Sequence, residues 1–441
     1  MSYAIFAAPS EASGAGLISF IVVCNGVTII LYRLRGRRSG KRQEAAMKGT
    51  KKTAKRQVKR DSAAAERLRY FEERLPAMLE TIRAFVEIES PSDNKAAGDR
   101  MGAFLAGIFE ELGGRARLHR TEDYGDNLQI DFAGNDGRKP VLLLGHFDTV
   151  YPLGTLATMP CRTEGERLHG PGVLDMKSGI ALMFYAVQAL QKWHGGLPRP
   201  VTVWLVSDEE VGSSSSRKLT EELARRAGAV LVLEPAAGMR GAVKTARKGV
   251  GEYTLRVKGV AAHAGLDPRK GHSAIVELAR QITAIAKLND LRSGVTVNAG
   301  VIRGGTRTNV IAAEATVEID VRIKKAKQAS ALERKMRALR PYDKQCKLII
   351  EGGINRLPME RTAGVADLYG KAKAIAGQVG WKLEEAAVGG GSDGNFTAGM
   401  GVPTLDGMGG VGDGAHAVHE HILISQLPRR ALLLAGMIEQ A

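Results

Sequence analysis

Val141-Leu-Leu-Leu-Gly-His146-Phe-Asp148 is an apolar run that breaks off into a histidine and an acid. A short apolar run bounded by polar residues suits a strand buried on both faces. The pattern recurs along the chain. Val201–Val206 leads into Asp208-Glu209-Glu210, Val230–Leu233 into Glu234-Pro, and Pro403–Leu405 into a Gly-rich loop that carries His416. Helical patterns stand between and after these runs, over Gly179–Trp193, Ser215–Ala227, Val365–Val379 and Leu427–Ile438. Strand and helix in alternation imply βαβ units and a mostly parallel sheet, an α/β fold. In open parallel sheets, sites form outside the carboxyl ends of the strands. Four strand ends would thus deliver His, Asp and Glu to one crevice. Asp175 joins them from Gly170-Pro-Gly-Val-Leu-Asp-Met-Lys-Ser-Gly179, a loop just before a helix.

Upstream, a helical pattern runs from Ala63 through Leu79, Ile82 and Phe85, and a second covers Asp99–Leu112 and stops at Gly113-Gly114. After Lys248 the texture changes. Tyr253–Val260, Thr296–Ile302 and Ala315–Ile323 read as strands, and His272–Leu288 and Ala329–Leu339 as helices. A β-α-β-β-α-β order predicts an inserted α+β, ferredoxin-like layer. The expected organisation is an extension over 1–60, a first α/β part over 61–247, the insertion over 248–352, and a second α/β part over 353–441.

Taken singly, each candidate residue has an ordinary explanation. A histidine after a strand is usually a loop residue, Asp-Glu-Glu a solvated turn, and Asp175 a helix cap. Together, at successive strand ends, His146, Asp175, Glu210, Glu234 and His416 point to a metal site. Two histidines and three carboxylates suit zinc. A dinuclear arrangement fits best, with one bridging carboxylate and, on each metal, one His and one further acid. Glu209 and Glu210 can then divide the work, one binding metal and its neighbour moving the proton of the attacking water. The three cysteines, Cys24, Cys161 and Cys346, are far apart and form neither a thiolate metal motif nor a disulfide framework.

The net charge of +16 does not mark a nucleic-acid binder. Residues 33–60 hold thirteen Lys or Arg against one acid, Glu44, so +12 of the charge lies there and the rest of the chain is near neutral. Before this stretch, Leu17–Tyr32 is apolar but shorter than the roughly 20 residues a membrane helix needs. As an anchor it would keep the enzyme part in the cytoplasm, because Arg33, Arg35, Arg37 and Arg38 follow it. As an upstream extension it would give way to a start at Met47. Lys48–Arg60 is expected to be a solvated lead-in.

Gly145-His-Phe-Asp-Thr-Val-Tyr-Pro-Leu-Gly154, Gly170–Gly179, Ser207-Asp-Glu-Glu-Val-Gly-Ser213 and Gly389-Gly-Gly-Ser-Asp393 resemble the M20 zinc exopeptidases, from about Arg69 to the end. The glutamate carboxypeptidase branch is most similar, through Asp148-Thr-Val-Tyr151 and Pro428-Arg-Arg430. The resemblance implies two zinc ions per chain. His146 and Glu234 would hold one, Glu210 and His416 the other, and Asp175 would bridge them, followed by a cis peptide. It implies that Asp148 orients His146 and that Glu209 is the general base. His416 is preferred to His419 because the family pattern is a Gly-rich loop, then His, then Glu four residues on, which His416 and Glu420 satisfy. The insertion resembles a lid and dimerisation domain whose His263 reaches the active site of the neighbouring subunit in a homodimer. Asn309, Arg322, Arg356 and Gly391 align with substrate-binding positions. The implied substrate is a small peptide or N-acyl amino acid, with glutamate released. The alternatives are an N-acyl-amino-acid deacylase and a non-catalytic binding protein on the same fold.

Overall fold

The computed structural model describes residues 5–8, 18–24, 27–33 and 62–441. The chain divides into two units, Met1–Ala63 and Ala64–Ala441. In the first, Ile5–Ala8, Ile18–Cys24 and Val27–Arg33 form an antiparallel three-stranded sheet. Most of the apolar Leu17–Tyr32 segment is therefore paired as strands. The basic stretch Lys48–Arg60 lies outside the described residues.

In the second unit a six-stranded sheet runs in the order Thr404–Leu405, Ala229–Val232, Val141–His146, Val201–Val206, Asn127–Phe132, Arg115–His119. The first four run parallel, Asn127–Phe132 runs antiparallel to both its neighbours, and Arg115–His119 again runs with the first four, so the sheet is mostly parallel, as expected. Strand alternation splits its side chains between two cores. Val141, Leu143, Val203, Leu205 and Leu231 face the helices Leu75–Glu87, Lys95–Glu111, Ser178–His194 and Leu427–Gln440. Leu142, Leu144, Trp204, Val206 and Val230 face the helix Arg217–Arg226. Burial on both faces explains the unbroken apolar runs. Among the described residues, one helical stretch is long and apolar enough to cross a membrane, Val173–His194, and it is buried in this core.

The single helical pattern expected over Ala63–Phe85 is two helices, 62–72 and Leu75–Glu87. Pro76 explains the restart, since it suits a helix's first turn but not its interior. The second helix starts earlier than expected, at Lys95, because the Asn94 side chain accepts the Ala97 N–H and caps it.

The inserted layer is an antiparallel sheet in the order Thr296–Gly304, Glu314–Ile323, Gly249–Lys258, Lys347–Arg356. Tyr253, Leu255 and Val257 alternate into a core shared with the helices Ala274–Ala286 and Lys327–Arg337. The last strand stays paired to Gly249–Lys258 up to Arg356, so the layer extends past residue 352.

Candidate metal centre

The candidate ligands stand where the parallel strands end. His146 is the last residue of Val141–His146. Glu209 and Glu210 open a single helical turn, Glu209–Val211, just after Val201–Val206. Glu234 follows Ala229–Val232 by two residues. Asp175 sits in the distorted turn Val173–Lys177, entered through Gly172 at φ +70°, and the Asp175–Met176 peptide is cis. His416 lies beyond Thr404–Leu405 at φ +63°, a left-handed conformation uncommon for a residue with a Cβ.

Their geometry divides into two halves that meet at Asp175. Its Oδ1 is 3.1 Å from His146 Nε2 and its Oδ2 is 3.5 Å from His416 Nε2. Glu234 Oε1 is 3.4 Å from His146 Nε2, and Glu210 Oε1 is 3.1 Å from His416 Nε2. Ligand atoms of His146, Asp175 and Glu210 lie within 4.8 Å of one another, as do those of His146, Glu209 and Glu234. Glu209 falls within ligand reach, but its Oε1 accepts from Arg356 Nη2 at 3.1 Å. His416 is the ring that faces the acids. His419 is exposed, and the buried His421 ring stacks at a tilt on His169, 5.2 Å between centroids.

Burial and charge pull on these groups in opposite directions. Burial pushes Asp175 up, but His146 and His416 outweigh it and hold the carboxyl well below its usual range. Burial opposes a charged His146, yet Asp148, Asp175 and Glu234 raise it. Donating hydrogen bonds to Asp175 and Glu210 pushes His416 up to about 10. Burial lifts Glu209 and Glu210, with Arg356 opposing it at Glu209 and His416 at Glu210. Four carboxylates around two imidazoles form a concentrated anionic site, and this donor set without thiolate fits divalent ions of the zinc, cobalt or manganese type.

A supporting layer fixes these side chains. Asp148 accepts the N–H of Glu209 (3.3 Å) and Glu210 (3.2 Å), and its carbonyl oxygen is 3.0 Å from His146 Nδ1. Glu420, missed as a functional residue although it stands in the His-x-x-x-Glu pattern, is fully buried. Its Oε1 accepts the N–H of Leu174 (2.8 Å) and Asp175 (3.0 Å). Its Oε2 accepts from the Gly172 N–H (3.0 Å) and the Tyr151 hydroxyl (2.7 Å). Arg247, also missed, donates from Nη2 to Glu234 Oε2 at 3.1 Å and from Nε to Asp406 at 2.6 Å. Its Nη1 donates to the carbonyls of Gly390 and Gly391. No local signal marks Arg247, because its partners lie 13 to 159 residues away in sequence.

The expected substrate residues are less concentrated. Arg356 is buried and its Nη2 donates to Glu209, Ser213 and Asp393. A Cβ on Gly391 would lie 3.4 Å from Arg356 Cδ, so these two are neighbours. Arg322 pairs with Asp320 on its own strand, at 3.0 and 2.8 Å. His263 and Asn309 are exposed, on adjoining segments of the inserted layer joined by the Ala264 N–H to Asn309 carbonyl bond. The hydrogen bonds of the His263 ring are to the N–H groups of Gly265 and Leu266, in its own loop.

Comparison with known proteins places the chain. The family profile for peptidase family M20/M25/M40 matches residues 142–440, and the chain belongs to that family. It is an M20 metallopeptidase. Among its relatives, carboxypeptidase G2 of Pseudomonas sp. (strain RS-16) is 30% identical over 82% of this chain and 89% of that protein. Acetylornithine deacetylase of Salmonella arizonae is 28% identical over 56% of this chain and 68% of that protein. The fold is that of aminopeptidase PepT from Bacillus cereus, with a TM-score of 0.70 at 23% identity over 83% of this chain and 98% of that one. A dinuclear metal-binding M20 peptidase of Bacillus subtilis shares it with a TM-score of 0.61 at 14% identity, over 83% and 98% of the two chains.

Proposed function

We propose that this enzyme hydrolyses a peptide or N-acyl amide bond beside a free carboxylate and releases the C-terminal amino acid, glutamate in preference, using two zinc ions per chain. The observation that carries the reading is Asp175, whose two oxygens face His146 and His416. His146 with Glu234 would hold one ion, and His416 with Glu210 the other. Bound there, the ions supply Lewis acidity to the scissile carbonyl and to the attacking water. Glu209 takes the water's proton and passes it to the leaving nitrogen as the C–N bond breaks. Asp148 keeps the His146 ring and the Glu209–Glu210 turn in register. Arg356, which donates to Glu209, and its neighbour Gly391 receive the leaving amino acid's carboxylate, and Asn309 and Arg322 approach it from the inserted layer acting as a lid.

The inserted layer is also the proposed homodimer surface. Ile275, Val276 and Ile302 are exposed there, and Thr296–Gly304 is an open edge strand. His263 of a second copy would then donate to the developing oxyanion. The proposed place of action of the enzyme part is the cytoplasm.

Carboxypeptidase G2, matched over most of both chains, supports the carboxypeptidase reading. The acetylornithine deacetylase relative favours a second, the N-acyl-amino-acid deacylase. Rates on N-acyl-glutamate and N-acyl-alanine separate them: a higher kcat/KM for the glutamate compound supports the first, and a preference for alanine moves the assignment to the second.

A further inference from the structure

A cavity of about 620 Å³ lies where the chain crosses between the two layers. Both crossings line it, Thr245–Lys248 on the way out and Met359–Arg361 on the way back. They are held together by the Arg247 N–H to Met359 carbonyl bond (3.0 Å), and the Lys248 N–H is held to the Val388 carbonyl (3.1 Å). Leu291 and Ala387 contribute apolar lining, Ala387 on the same face of the strand Glu385–Val388 as Glu385. Its acids are already engaged, Glu360 with Lys325 at 2.6 Å and Glu385 with Arg361 at 2.6 Å. Lys248 and Lys324 also line it, and neither makes an ion pair among the described residues. The Lys324 stem is folded over Gly294, where a Cβ would meet it at 3.0 Å.

Apolar lining together with two lysines that have no ion-pair partner among the described residues, at a volume typical of small-molecule sites, fits a ligand with an anionic head and an aliphatic body. We propose that this cavity binds a small organic monocarboxylate, its head on Lys248 and Lys324 and its aliphatic body against Leu291 and Ala387. Because the walls come from both layers, a bound molecule clamps one against the other and favours the arrangement in which it fits. The clamp also touches Arg247, which grips Glu234.

Octanoate titrated calorimetrically into the full chain, with and without prior chelation, tests this. One saturable site per chain is expected in both states. Binding should weaken about tenfold in the Lys248→Ala/Lys324→Ala variant, as the loss of two partly exposed charge contacts allows. Ala387→Phe, which fills the cavity and leaves the lysines, should abolish binding without moving the thermal midpoint. Octylamine, with the same tail and the opposite charge, should not bind, and amide exchange at Arg247 and Lys248 should slow with octanoate. No saturable site, equal binding of octylamine, or affinity unchanged in both variants would overturn the proposal. So would octanoate binding confined to the metal-loaded chain, which would put it on the metal ligands, whatever substrate the enzyme takes.

Discussion

Asp175 faces both His146 and His416 only because its backbone is held in place. Glu420 does this with one buried carboxylate, accepting the N–H groups of Gly172, Leu174 and Asp175. In Glu420→Gln an amide NH₂ replaces one acceptor, leaving a buried N–H without a partner at a cost of about 1–3 kcal/mol. Metal affinity, measured by competition with a chelator, should fall about 10–100-fold, the usual effect of removing a group that orients a ligand. Unchanged affinity would limit Glu420 to a folding role. Glu209→Gln should act in the opposite way, keeping the metal count while kcat drops about 10²–10⁴-fold, the usual share of a general base. The ligand candidates were legible because each His, Asp or Glu directly follows an apolar strand or a glycine-rich turn. Arg247 and the Arg356–Asp393 pair were not, because they join segments distant in sequence.

At the scale of elements, what the site needs is strand ends and sharp turns. Gly172 starts the Asp175 turn at φ +70°, and a Cβ there would stand 2.6 Å from Thr149 Cγ2. Gly172→Ala is expected to cost about 1–3 kcal/mol, read as a lower denaturation midpoint, with loss of metal retention as the Asp175 turn shifts. An unchanged midpoint and metal content would mean that the turn can adapt. The strands buried on both faces, Val141–His146 and Val201–Val206, were legible as unbroken apolar runs. Arg115–His119 and Asn127–Phe132 were not, because each mixes polar residues into its run at the sheet's antiparallel edge. Lys347–Arg356 carries two glycines and an exposed edge, which mask the strand pattern, so the end of the inserted layer was read short.

For the whole molecule, charge and core separate cleanly along the chain. The excess of Lys and Arg lies in residues 33–60, whereas the two layers and the candidate metal centre belong to Ala64–Ala441. Removing residues 1–60 should therefore leave both turnover and the thermal midpoint of the enzyme part unchanged, and a loss of either would give the extension a part in folding or catalysis. The central claim is that strand ends of one sheet assemble a dinuclear centre bridged by Asp175. The measurement that tests it most directly is metal per chain in the wild-type protein and in Asp175→Asn, with hydrolysis of N-acyl-glutamate followed in parallel. The account predicts two zinc ions per wild-type chain, chelator-sensitive turnover, and loss of metal together with turnover in the variant. A wild-type chain that holds one ion or none while still hydrolysing the substrate, or an Asp175→Asn variant that keeps two ions and full activity, would contradict it.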